Sequence, residues 1–200
     1  MPRRKKPSDI YLAWDRIVFG NDKYSSESQQ AWAALWEQHC VGGRLAKTAI
    51  ADVELLASLG YDLAAKQGDW QAAKERVECY FQHPHWQTDC STSQEMLQVL
   101  RARAYWECGD EDGALNLFRG VSEQPSYGSI SLMLVWEQLC VLCQEQPEDI
   151  IVSARLAHFI LEIAQRVAKR SVSDKVLTFR SFGELAVVLE SARTARAKKA

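Results

Sequence analysis

The sequence predicts an all-α protein of about nine helices, and three observations lead to that prediction. Apolar residues recur three and four apart along most of the 200-residue chain, which is the spacing of one helix face. Only ten glycines and five prolines punctuate the chain, too few for the many tight turns of an all-β fold. Hydrophobic residues make up 47% of the sequence, enough for a packed core.

The first four predicted helices are bounded by recognisable start and stop signals. They cover residues 10–19, 27–40, 45–66 and 70–81. Ser8 and Asp9 can cap the first of them, and the Gly42-Gly43 pair ends the second. Gly68 and Asp69 form a short break between the third helix and the fourth, after which Pro84 closes the unit.

The remaining helices are predicted from the same kinds of signal. They cover residues 94–108, 112–121, 129–144, 147–169 and 176–196. Ser93 can cap the first of these, and Gly109-Asp110 turns the chain into the second. Pro125 closes that pair, and Pro147 suits the first turn of the helix that begins there.

Charge is distributed unevenly, although the net charge is only −2. The first eight residues and the last ten each carry four basic and no acidic groups, so we expect basic tails over residues 1–7 and 197–200. Without those eight basic groups, 16 basic residues face 26 acidic ones, and the body has a formal charge of −10. We expect a single domain over residues 8–196.

The sequence contains no feature that indicates export or a membrane span. No stretch approaches the roughly 20 apolar residues that span a bilayer, and no apolar segment follows the basic N-terminus as in a secretory signal. The six cysteines lie mostly among apolar residues, as reduced core cysteines do. We therefore expect a cytoplasmic protein with no membrane contact.

Two segments of the chain repeat one pattern about 41 residues apart, and the clearest units are residues 52–84 and 94–125. Each has a helix, a Gly-Asp turn, an alanine five residues after the glycine, and a proline after the second helix. The matching residues are Ala102, Tyr105, Gly109, Ala114 and Phe118 in the second unit and Ala64, Gly68 and Ala73 in the first. This pattern resembles the tetratricopeptide-repeat (TPR) family.

The resemblance implies antiparallel helical hairpins stacked as a short right-handed solenoid, whose concave groove clamps a partner peptide or helix. The residues that map to the groove are Asp62, Lys66, Arg103 and Trp106, extended by Trp136 and Glu137 on the next helix. The implied function is that of a non-catalytic adaptor, chaperone or assembly subunit. Because the body is acidic, we expect the protein partner to present a basic or amphipathic segment.

A second hypothesis is a helical subunit of a nucleoprotein complex. It rests on a basic cluster late in the chain, formed by Arg166, Lys169, Arg170, Lys175 and Arg180. Such a cluster can contact phosphates, but it is equally typical of a solvated helix end, where cations suit the helix dipole.

Only one set of residues has the composition of a metal site. Cys79, His83, His85 and Cys90 would supply two thiolates and two imidazoles to a tetrahedral zinc ion, but their spacing matches no standard finger. The alternative is that Cys79 packs in its hairpin and the histidines cap a helix end. No catalytic set or phosphate-binding loop is visible, so we expect no enzyme activity, no cofactor and no small-molecule substrate.

Overall fold

A computed structural model describes the chain at residues 7–20, 22–88, 92–123, 130–145, 156, 158–160, 162, 163 and 166. These residues contain helices and no strand, which confirms the all-α prediction for this part of the chain. The α-helices are α1 (Asp9–Phe19), α2 (Ser26–His39), α3 (Ile50–Lys66), α4 (Trp70–Phe81), α5 (Thr92–Glu107), α6 (Glu111–Glu123) and α7 (Ile130–Glu145). The described residues between 156 and 166 are helical too, and the predicted helix over residues 176–196 lies outside the described part.

Most helix boundaries lie within two residues of their predicted positions, with one exception. The predicted helix over residues 45–66 is a short 3-10 turn, Leu45–Lys47, followed by α3 from Ile50 onward. Thr48 separates the two with extended backbone, and its hydroxyl donates to the carbonyl of His39 at 2.9 Å. Apolar periodicity continues across this break, and the sequence pattern therefore did not reveal it.

The two Gly-Asp turns of the repeat have the same structure. Gly68 has φ +74° and Gly109 has φ +83°, the left-handed conformation that ends a helix and that glycine adopts without strain. In each turn the aspartate N–H donates 3.0 Å to the carbonyl five residues earlier. Asp69 and Asp110 then cap the next helix, because their carboxylates accept the N–H three residues on, at 3.0 and 2.9 Å. The two turns predicted from the repeated sequence are confirmed.

The chain forms two compact units, Met1–Ala114 and Leu115–Ala200. Within the first unit, α3 lies at the centre and packs against α1, α2, α4 and α5. One face of α3 joins α4 and α5 in a buried cluster that includes Val53, Ala57 and Tyr61. The opposite face joins α1 and α2 through Leu56, Leu59, Leu63 and the side chain of Trp32.

In the second unit, the described helices bury aromatic and aliphatic side chains. Phe118 and Phe159 are buried with their ring centroids 6.5 Å apart, and Arg119 lies over the Phe159 ring at 5.5 Å. From α7, the buried residues are Ser131, Leu132, Val135, Trp136, Leu139 and Leu142. No helix among the described residues has the length and apolar character needed to cross a bilayer.

Candidate partner-binding groove

The N-terminal half of α2 and the C-terminal end of α3 border an open surface groove, to which α4 contributes one side chain. Its volume is about 310 Å³, and it is lined by Ser26, Gln29, Gln30, Trp32, Ala33, Leu63, Gln67 and Arg76. Helix α2 begins at this groove because Ser25 caps it, accepting the N–H of Ser28 at 3.1 Å. The exposed Ala33, with the small uncovered parts of Trp32 and Leu63, gives the groove an apolar part, whereas glutamine amides and a guanidinium give it hydrogen-bonding groups.

The apolar side of the groove depends on a close approach between α2 and α3. The indole of Trp32 lies against Gly60 and its N–H donates to the carbonyl of Leu56 at 2.9 Å. A Cβ at Gly60 would lie only 2.4 Å from Cζ2 of that indole. Glycine at this position of α3 is therefore what lets the indole pack flat against the helix backbone.

Arg76 reaches the same place from α4. Its guanidinium lies 4.3 Å from the centre of the Trp32 ring and donates to the carbonyl of Gly60 at 2.7 Å. Half-burial lowers the pKa of Arg76, and the nearby carboxylates of Asp69 and Glu75 partly offset that effect. The guanidinium is thus fixed in place at the edge of the groove by a ring and a carbonyl group.

The groove residues predicted on α3 lie beside this groove. Asp62 forms an ion pair with Lys23 at 2.6 Å, and Lys66 extends over the ring of Tyr24 at 5.7 Å. The carbonyl of Tyr24 accepts a hydrogen bond from the side chain of Gln29, a residue that lines the groove. The structure therefore brings Asp62 and Lys66 together with the α1–α2 connection at the flank of the groove.

The structure corrects the prediction for Arg103. Its side chain was expected to face a partner, but it is only 4% exposed. It forms an ion pair with Glu107 at 2.6 Å and its guanidinium lies 5.3 Å from the centre of the Trp70 ring. A side chain so enclosed stabilises α5 and the start of α4 rather than contacting a partner. Trp106, three residues on, is half-buried.

The other two predicted groove residues belong to the second unit. Glu137 is exposed, whereas Trp136 is fully buried in the core of that unit. The expectation that Trp136 extends a binding surface is therefore corrected as well, because a buried indole presents nothing to a partner. Helix α7 is hydrophobic on more than one side, so the sequence pattern does not tell whether the side that carries Trp136 is buried or exposed.

The described members of the predicted metal set make contacts within the fold that leave no common metal position between them. His83 is 2% exposed, its Nδ1 accepts the N–H of His85 at 3.1 Å, and its Nε2 lies 3.0 Å from the carbonyl oxygen of Thr48. Nδ1 therefore carries no proton, so Nε2 carries it and donates to Thr48. Both ring nitrogens of His83 are thus engaged, and among the described residues no three His, Cys, Asp or Glu side chains are grouped to hold a metal ion. Cys90 lies outside the described residues.

The buried thiol of Cys79 has a different partner. It lies near the thiol of Cys40, the residue at the C-terminus of α2. Interaction between the two thiols lowers the pKa of Cys79, while the same interaction and burial raise the pKa of Cys40. The contact joins the end of α2 to α4, and both cysteines are free.

Of the basic cluster predicted to contact nucleic acid, the structure describes Arg166. Its guanidinium donates to the hydroxyl of Ser122 at 2.9 Å and also to the Ser122 carbonyl, near the end of α6. It is therefore engaged within its own unit and satisfies a carbonyl at a helix C-terminus. The other predicted members, Lys169, Arg170, Lys175 and Arg180, lie outside the described residues.

The sequence analysis identified neither Arg76 nor Trp32 as a site residue. One signal was present, namely an isolated glycine inside a long helical pattern, which often marks a close approach to a neighbour. Comparison with known proteins adds no further guide, since no family model, curated protein or solved structure matches the chain.

Proposed function

We propose that this chain is a non-catalytic protein-binding adaptor, chaperone or assembly subunit that holds a segment of a partner in the α2–α3 groove. The observation that carries this proposal is the lining of the groove. Three glutamine side chains, Gln29, Gln30 and Gln67, stand beside the exposed Ala33, whereas Trp32 and Leu63 are nearly buried and offer little surface. Side-chain amides both donate and accept, so they match the N–H and C=O groups of a peptide backbone, and the methyl group of Ala33 adds apolar contact.

The proposed architecture is a short stack of TPR-like hairpins. Support comes from the two identical Gly-Asp turns and from contacts of α3 with both the preceding and the following pair of helices. Two fully buried alanines, Ala73 and Ala114, occupy the same place after each turn, where a small residue allows close helix packing.

The proposal differs from the sequence-based one in the part of the surface it uses. The groove lies between α2, α3 and Arg76 of α4, with Asp62 and Lys66 at its flank, and Arg103 is excluded because it is buried. We expect Lys66 and Tyr24, which are exposed, to contribute to partner contact beside the groove.

The test uses a matched pair of variants on α2. Ala33 lines the groove and its neighbour Ala34 does not, yet both are exposed residues of the same helix. We expect Ala33→Trp to fill the groove and weaken binding of an affinity-purified native partner at least about tenfold, a loss of roughly 1.4 kcal/mol. Ala34→Trp should bind as the wild type does.

Partner recovery should be repeated with nuclease, and affinity should be measured by calorimetry. Equal binding by the two tryptophan variants would refute the groove as the binding site. Recovery that disappears with nuclease would favour the nucleoprotein alternative instead.

A further inference from the structure

The lining of the groove carries one positive charge and no negative one. The eight lining residues include one cation, Arg76, and no carboxylate. Within the described part of the chain, Arg76 forms no ion pair, and the Gly60 carbonyl is the one hydrogen-bond acceptor of a group that has five N–H donors. Further N–H groups thus stay available for an incoming acceptor.

The two carboxylates that act on the pKa of Arg76 have other hydrogen bonds. Asp69 accepts the N–H of Ala72 as the cap of α4, and Glu75 accepts the side-chain amide of Gln71 at 3.0 Å. Both influence the pKa of Arg76 through space, but neither is in an ion pair with it. The Trp32 ring and the Gly60 carbonyl therefore hold the guanidinium in one orientation without neutralising its charge.

From this arrangement we infer that the groove accepts an acidic side chain, a glutamate or aspartate of an extended partner segment, whose carboxylate pairs with Arg76. The inference rests on the proposed function and names the chemistry of its partner. A planar guanidinium presents parallel N–H groups, which suits the two oxygens of a carboxylate. Half-burial strengthens such a pair relative to an exposed one, because water screens it less.

The position of the rim amides favours a partner side chain, rather than the partner's C-terminal carboxylate, as the group that reaches Arg76. Ser26, Gln30 and Gln67 are exposed at the rim, whereas Arg76 is half-buried. A partner backbone bound to the rim amides reaches the guanidinium through a side chain that points inward. This reverses the partner charge expected from the acidic body as a whole, since the charged residue in the groove lining is a cation.

The experiment uses purified full-length protein and four libraries of N-acetylated random nonapeptides. Two libraries end in a free carboxylate and two in an amide, and one of each pair omits Asp and Glu. We expect the wild type to enrich peptides from both libraries that contain Asp and Glu, and to enrich none from the amidated library that lacks them. The enriched peptides should then bind at least about tenfold more weakly to Arg76→Gln.

Two further variants serve as controls. Lys47→Gln removes one exposed positive charge from the 3-10 turn, away from the groove, and should leave peptide binding unchanged. Ala33→Trp blocks the groove without changing its charge. The library arm uses only wild-type protein, so it decides the question even if Arg76→Gln fails to fold.

The possible results separate the two proposals. If peptides from the amidated library without Asp and Glu are enriched, and Ala33→Trp abolishes this enrichment, the groove binds peptides but does not require an acidic side chain, and the inference is wrong. If enrichment requires a free C-terminus, the inference is also wrong, because Arg76 then binds a terminal carboxylate. If Ala33→Trp does not affect enrichment, the groove is not the binding site, and the proposed function is wrong as well.

Discussion

Replacement of Gly60 by alanine should destabilise the protein, which is the opposite of the usual effect inside a helix. An alanine in the interior of a helix is normally more favourable than glycine by about 1 kcal/mol. At Gly60, however, the new Cβ would lie 2.4 Å from Cζ2 and 2.8 Å from Cε2 of Trp32. Since carbon atoms pack best about 3.5–4.0 Å apart, the indole has to retreat by roughly 1 Å.

The retreat has two costs. Overpacking a buried site costs about 1–3 kcal/mol, and breaking the Trp32 N–H bond to the Leu56 carbonyl costs about 1 kcal/mol more. Set against the gain in helix propensity, the net loss for Gly60→Ala is about 2 kcal/mol. In a Trp32→Leu background the indole is gone, and the remaining close contact, Cδ of Arg76 at 3.0 Å, belongs to a flexible side chain that can shift. The same substitution should then stabilise by about 1 kcal/mol.

The assay is urea denaturation monitored by circular dichroism, in a double-mutant cycle of the two substitutions. Gly120→Ala is a matched control, because this helical glycine of α6 has open space around its missing Cβ and should stabilise by up to about 1 kcal/mol. A stabilising effect of Gly60→Ala in the wild-type background would refute the close approach of Trp32 to α3. So would an equal effect in the two backgrounds.

Three further predictions concern residues outside the groove. Arg103→Met should cost about 2–4 kcal/mol in urea denaturation, since it leaves the carboxylate of Glu107 in a nearly buried place without its cation; a loss below 0.5 kcal/mol would contradict this burial. Diamide, an azo oxidant that takes two electrons and two protons from a thiol pair, should join Cys40 to Cys79 as one disulfide detectable by peptide mass spectrometry. Closing that loop should raise stability by about 4 kcal/mol, and absence of this disulfide would contradict the thiol contact. His83→Ala should cost about 1–3 kcal/mol without releasing any metal from the purified protein, as measured by elemental analysis, whereas metal release would contradict its structural role.

The local signals in the sequence predicted the helices and their turns well. Gly68 and Gly109 are followed by aspartates that cap the next helix, so each turn is specified by two adjacent residues and needs no tertiary contact. The long helix predicted from residue 45 onward was wrong at its start, because Ala46, Ile50 and Val53 stand four and three apart and continue an apolar period across a backbone break. Periodicity identifies a face, but it does not detect a short extended stretch such as Thr48 and Ala49.

The groove could not be predicted in the same way. Trp32 and Arg76 are 44 positions apart on different helices, and their contact depends on how α2 and α4 pack on α3. The burial of Arg103 was also hidden, although Glu107 lies four residues later at the spacing of a helical ion pair. Such a spacing indicates that two side chains can meet, but it does not indicate whether solvent surrounds them.

Helix α3 connects the stability of the first unit to the proposed binding groove. Its residues Leu56 and Leu63 belong to the buried cluster with α1 and α2, and Leu63 also lines the groove. Gly60 lies between them, where its missing side chain admits the Trp32 ring and its carbonyl accepts a hydrogen bond from Arg76. One glycine thus sets both the distance between α2 and α3 and the orientation of the charge offered to a partner. A partner that binds Arg76 would therefore add stability to the folded first unit, because the group it binds is held by contacts that exist only when α2, α3 and α4 are packed together.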